Sequence, residues 1–217
     1  MIDLFHIAVA IGPLAIYFLL IGYIRMQKKP LVTTGGRELA ALAFALIGFA
    51  AIGPMELFFP RAAVMWLGSK VWLLMSILYA LSIMLVILNS RPRIIVYGLD
   101  GEELGEYLRE VFARLDTHAH WLGNNVVSPA LGIQAIAESA GPGKVSHLVA
   151  TSRAQDFDSW LVVERELAAL LSPIRISNRR AGQYFMLAGL ILLCISAFAL
   201  LKDPQATTQA MRLMLRR

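Results

Sequence analysis

His118 and His120 stand two residues apart, Asp116 just precedes them and His147 follows at a distance. Residues two apart share one face of a strand. Joined by His147 from another strand, the pair would offer the nitrogen ligands of a zinc-type site. No Cys or Glu motif accompanies them, however, and histidines at a strand end are ordinary surface residues. Metal binding is therefore the weaker reading, and no metal or other cofactor is expected. Gly141-Pro142-Gly143-Lys144-Val145 has the look of a phosphate-loop fragment. It lacks the first glycine's spacing and the hydroxyl after lysine, and its proline deletes an amide that phosphate would need, so the motif is rejected. No nucleophile is paired with an evident base anywhere in the chain. Glu102, Glu103 and Glu106 read as the acidic first turn of a solvated helix.

The apolar parts hold two further candidates. Ala10-Ile11-Gly12-Pro13 is echoed by Ala51-Ile52-Gly53-Pro54, each followed by aromatic residues. Two Gly-Pro breaks on antiparallel spans would line a cavity or constriction, as broken helices do in transporters. The plainer alternative is a pair of kinks that serve packing alone. Glu56 and Lys70 are charges near the outer ends of spans two and three, where an ionisable group is a functional candidate by default. A simple interfacial ion pair, with Arg61 competing, explains them as well. His6 would sit near the same level as a proton carrier. A haem would need a second axial histidine, and no other histidine lies in a span.

The elements that carry these residues follow from composition. The chain is 58% hydrophobic and only 16% charged, with its polar residues gathered between long apolar stretches. That distribution is a membrane signature. Spans are expected at 2–24, 39–59, 64–88 and 184–201. Residues 1–26 lack the basic start and cleavage site of a signal peptide and read as a retained span. The second span is rich in Ala and Gly, which favours a place inside the bundle. Trp66 and Trp72 suit an interface. The lone cysteine, Cys194, excludes an internal disulfide and a Cys-based zinc site, and reads as a small buried thiol.

Between the third and fourth spans lies a polar stretch. Residues 93–97 are β-branched and read as a strand. Asp100 and Glu103 have capping-box spacing, and Leu104, Tyr107, Leu108, Val111, Phe112 and Leu115 recur at helical period. Three strands are expected at 119–127, 132–138 and 145–151, then a helix from Asp156 whose inner face carries Phe157, Trp160, Leu161, Val163, Leu167, Ala168 and Leu171, stopped by Pro173. The fold class is thus a four-span helical membrane protein with an inserted two-layer α+β domain of order β-α-β-β-β-α, one sheet face remaining free. The organisation is a three-helix region 1–90, the domain 91–178, the fourth span 179–203 and a basic amphipathic tail 204–217.

Nine basic residues (Arg25, Lys28, Lys29, Arg37, Arg91, Arg93, Arg175, Arg179, Arg180) fall on one side of such a bundle, and six on the other. The positive-inside rule then places both termini outside and residues 91–178 in the cytoplasm, at a bacterial inner membrane. The net charge of +5 fits loops facing anionic lipid better than nucleic-acid binding. With tidy architecture and no catalytic constellation, the expected function is a non-enzymatic anchor or accessory subunit. Its domain would bind another membrane or cytoplasmic protein, or a second copy in a homo-oligomer. The alternative is a small oligomeric transporter or channel component using the Gly-Pro breaks. A membrane-bound metal-dependent enzyme or sensor using the histidines comes third.

Overall fold

The computed structural model describes residues 4–55, 57–139, 144–152, 155–176, 180–202 and 204–216. Four helices have the length and apolar composition to cross a membrane, and a six-stranded antiparallel sheet accompanies them. The chain divides into two compact units: Met1–Tyr23, Ala40–Val86 and Gln183–Arg217 form one, while Ile24–Leu39 and Ile87–Gly182 form the other.

In the helical unit, α1 (Leu4–Met26) contains Pro13 and is followed, after a strand of the other unit, by α2 (Gly35–Ala50). A single π-type turn over Ala51–Met55 extends α2 and holds Pro54. Next come the short α3 (Arg61–Leu67) and α4 (Lys70–Asn89). The expected third span at 64–88 is thus broken. Gly68 takes a positive φ and donates its amide to the Val64 carbonyl, which ends α3 before α4 starts. The last span is α7 (Arg180–Leu201), and α8 (Pro204–Arg216) forms the tail.

Small residues make the helix contacts. A Cβ on Gly48 would collide with the backbone of Val9 and Ala10, and one on Gly189 would lie 2.8 Å from the Leu19 amide nitrogen. Ser196 donates to the Ala8 carbonyl at 3.1 Å, and Tyr79 to the Ala43 carbonyl at 2.7 Å. Both bonds spare a hydroxyl the cost of lying unpaired among apolar atoms. Much of the outer surface is bare hydrocarbon. Leu74, Ile77, Leu78, Leu81 and Leu85 of α4 are all exposed, a surface that water would not tolerate but lipid tails would. Cys194 belongs to this exposed surface, so the expectation of a buried thiol is corrected.

The second unit is built on the sheet β1-β2-β6-β5-β4-β3. Its strands are β1 (Leu31–Thr34), β2 (Arg93–Tyr97), β3 (His120–Leu122), β4 (Asn125–Ser128), β5 (Ile133–Ser139) and β6 (Val145–Ala150). Two features depart from the expected β-α-β-β-β-α order. The loop after α1 supplies a strand of its own, β1, antiparallel to β2 with Val32 opposite Val96. The stretch expected as one strand at 119–127 is a hairpin, β3 and β4, turned at Gly123 with positive φ.

Helices α5 (Gly101–Leu115) and α6 (Phe157–Leu171) share one core with the sheet face of Ile94, Val96, Val126, Ala135, Ala137 and Leu148. The Asp100–Glu103 capping box forms as its spacing implied. Leu104, Leu108, Val111 and Phe112 are buried, as are Trp160, Val163, Leu167 and Leu171. Phe157 is not on the inner face as expected; it is 62% exposed at the first position of α6.

The Gly48 and Gly53 environments give a clean contrast. Gly48→Val must push α1 and α2 apart and is expected to destabilise the helical unit by about 1–3 kcal/mol, the usual cost of overpacking. Gly53 meets nothing within 4 Å, so Gly53→Ala should be close to neutral. Melting temperatures of the detergent-solubilised variants check both.

Candidate functional site

Directly paired residues in an antiparallel sheet point to the same side. The side without helices therefore gathers Arg93, Ile95 and Tyr97 of β2, Val145 and His147 of β6, and Glu138 of β5. At its β2 end this face is not free, contrary to expectation. The loop strand β1 runs straight into α2, and the first turn of α2 brings Glu38 over it. Glu38 accepts a hydrogen bond from the Tyr97 hydroxyl at 2.8 Å and pairs with the Arg93 guanidinium at 3.3 Å. The Arg25 guanidinium stacks over the Tyr97 ring at 5.6 Å. Ile95 and Val145 are consequently buried, and His147 is half-buried.

His147 stands between Ile95 and Glu138 in the ladder. Burial pushes its imidazole below the ordinary value. The Glu38 and Glu138 carboxylates work against that shift, and the Arg93 guanidinium with it. The ring is thus held neutral near pH 7.

The other polar groups of this unit hold backbone and loops. Buried Asp116, at the end of α5, accepts from the Ser128 hydroxyl at 2.6 Å and from the Ala130 and His118 amides at 3.0 and 2.8 Å. The Ser128 hydroxyl, then the amides, hold its carboxyl below the usual carboxylate range against the cost of burial. Glu164 lies within the buried stripe of α6 and takes a 2.6 Å bond from Arg37. Lys144, with positive φ, reaches Glu103 at 3.2 Å and lies 3.7 Å from Asp100; Glu103 first of all raises its pKa. A cleft of about 470 Å³ opens beside it, lined by Glu103, Tyr107, Lys144 and Arg175 among others. The lysine of the rejected phosphate-loop fragment is thus anchored on two acids. The glycines and proline before it lie outside the described residues.

The histidines are not brought together. His118 lies in the turn before β3, and His120 on β3 has its Nδ1 3.3 Å from the His118 carbonyl oxygen. His147 is on β6, with β4 and β5 between. Three strand spacings are about 14 Å, far beyond shared coordination of one ion. Among the described residues, no group of three or more His, Cys, Asp or Glu could hold a metal.

The membrane candidates are likewise dispersed. His6 lies in α1, its ring edge-on to Phe5. Gly12, one residue before the Pro13 break, has Ser196 of α7 3.6 Å from where its Cβ would be. Gly53 and Pro54 are both exposed in the π-type turn, so the two Gly-Pro breaks occupy unlike surroundings. Lys70 opens α4 and is exposed. Glu56 lies outside the described residues.

The pairing of Arg37 with Glu164 and the place of Glu38 over β2 escaped the sequence reading. A signal was available for Glu164, which falls in step with Trp160, Leu167 and Leu171 on a stripe that is otherwise apolar. A lone acid on such a stripe implies a cationic partner reaching in to it. No family model, curated protein or solved structure matches this chain.

A depressed imidazole pKa gives a signed expectation. The unfolded chain binds the His147 proton near pH 6.5, the folded chain only below that. The contribution is complete above about pH 6.5 and is lost as pH falls through the window beneath it. The melting temperature of the solubilised protein should drop between pH 7 and pH 5, and less steeply in His147→Gln. In Glu38→Ala, losing both the Tyr97 and Arg93 bonds should cost about 1–3 kcal/mol, visible as a lower melting temperature at pH 7.

Proposed function

We propose that this protein is a non-enzymatic membrane-anchored docking subunit whose α+β unit faces the cytoplasm and binds another protein. One observation carries the reading. The buried acids of that unit, Asp116 and Glu164, hold backbone, a loop or a basic partner, and the partly exposed Glu38 and Glu103 are likewise engaged, while the sheet ends in an open, apolar-tipped edge. That edge is β3. Leu122 at its tip is 70% exposed, and Trp121 is braced between Phe112 and the Arg109 guanidinium. An edge strand offers unpaired N–H and C=O groups to a partner strand, and Leu122 supplies an apolar anchor. The cytoplasmic placement is supported by the basic residues gathered where the chain passes between the two units: Arg25, Lys28, Lys29, Arg37, Arg91, Arg93 and Arg175. An inner bacterial membrane, with both termini outside, is the setting we assign.

The test is site-specific photo-cross-linking in native membranes. A photoreactive residue at position 122 should give one discrete protein adduct, and the same residue at exposed position 110 should not. Leu122→Asp should lower co-purification of that adduct partner by about tenfold, the worth of one well-buried apolar anchor. Absence of any protein adduct from position 122 in membrane-inserted protein would overturn the reading.

The π-type turn at Ala51–Met55 favours a second reading, because such turns recur at functional sites. In that case an oligomer of this chain forms a small transporter or channel. Proteoliposomes should then show an ion or solute flux that Pro54→Ala, by regularising the turn, reduces.

A further inference from the structure

A cavity of about 320 Å³ opens in the sheet-containing unit beside the last turn of α4. One part of its wall is apolar: Ile87 and Leu88 of α4, then Phe157 and Leu161 of α6. The rest includes two cations, Arg91 and Arg93, the neutral polar Thr34, Ser90 and Gln155, and the glycines that open α2, Gly35 and Gly36. No carboxylate is among the residues that line it. Arg93 is already engaged by Glu38. Arg91 is exposed, and among the described residues it makes no ion pair. Space is tight at both glycines: a Cβ on Gly36 would stand 3.2 Å from Ile87 Cγ2, and one on Gly35 would run into the Arg93 side chain. Their amides belong to the first turn of α2, whose N–H groups have no acceptor within the helix and suit an anion.

Charge and depth together identify the occupant. Ile87 and Leu88 are the final turn of a helix with the composition of a membrane span, and a hydrocarbon wall there meets acyl chains. Arg91 follows three residues later, at the level where lipid phosphates lie. We propose that this cavity binds one anionic phospholipid. Its phosphate pairs with Arg91 and the Gly35–Gly36 turn, and the upper part of one acyl chain lies against Leu88, Phe157 and Leu161. The size suits a small headgroup, since ligand sites begin near 300 Å³. Phe157, at the first position of α6 and turned out of the core, gains a role. The site rests on α4 lying in a membrane and is independent of the β3 docking edge.

The experiment uses the full-length protein in detergent and native mass spectrometry. Dioleoyl phosphatidylglycerol is titrated against dioleoyl phosphatidylcholine, glycerol 3-phosphate and inorganic phosphate. One phosphatidylglycerol per chain should be retained, with phosphatidylcholine and the two soluble phosphates bound much more weakly. Arg91→Gln should weaken phosphatidylglycerol by about tenfold, as loss of one charge-assisted contact would, and leave phosphatidylcholine unchanged. Phe157→Ser should weaken it without altering the discrimination between the two lipids. Both residues are exposed, and circular dichroism verifies that the variants fold. Retention of phosphatidylglycerol by both variants at the wild-type level would overturn the proposal. So would binding of inorganic phosphate as tight as that of the lipid, which would mark a free-anion site. Loss of the lipid site would leave cross-linking from position 122 untouched, so the two proposals fail separately.

Discussion

Four residue pairs between β1 and β2 hold the rest of the second unit in place. Leu31–Thr34 comes from the segment after α1, and Arg93–Tyr97 follows α4; some sixty residues, including α2, α3 and α4, separate them. Closing so long a loop is costly in entropy, though the cost grows only logarithmically with length, and helices that are themselves ordered reduce it. Once Val32 lies opposite Val96, the next residues have no latitude. Glu38 falls over Arg93 and Tyr97, Arg37 reaches Glu164 on α6, and Gly35 and Gly36 come close to Arg93 and Ile87. The covered sheet face, the half-buried His147 and the cavity beside α4 all follow from that single ladder.

Polar chemistry in this protein is largely structural, and the reason is the size of the sheet-containing unit. A small core of this kind buries a modest share of its surface and has little stability to spare. Its buried acids therefore sit where each satisfies several backbone donors or a guanidinium. Asp116 organises the turn after α5 and the loop after β4 at once. Glu164 ties the core helix α6 to the first turn of α2. The covalent design helps as well: the chain passes between the two units four times, so the small unit is fastened at four points.

The helical unit obeys a different rule. Its bare outer surface is suited to hydrocarbon, and in such a setting burying apolar area would confer little and close approach would come from small residues. Gly48 against Val9 and Ala10, and Gly189 against Leu19, are the places where backbones nearly touch. The bulky side chains of α4 are left outward, a surface suited to lipid or to helices of another chain.

Local pattern was enough for much of this. The apolar runs marked the four helices long and apolar enough to cross a membrane, because a helix that satisfies its own backbone is the simplest structure that can lie in hydrocarbon. Asp100 and Glu103, three apart, announced the start of α5, and the repeat from Leu104 to Leu115 its buried face, since capping and amphipathicity act over a few neighbouring residues. What local pattern could not supply was pairing at a distance. Four residues, Leu31–Thr34, too short and too far from β2 to advertise themselves, became a sheet edge only through their partner strand. Glu38 looked like one charge in a basic loop until that ladder carried it across the face of β2. The three histidines shared a plausible chemistry on paper, and the strand order kept them apart. Side-chain type and spacing determined the elements; which elements lie side by side is a sum over contacts between residues far apart in the chain, and only the tertiary structure decided it.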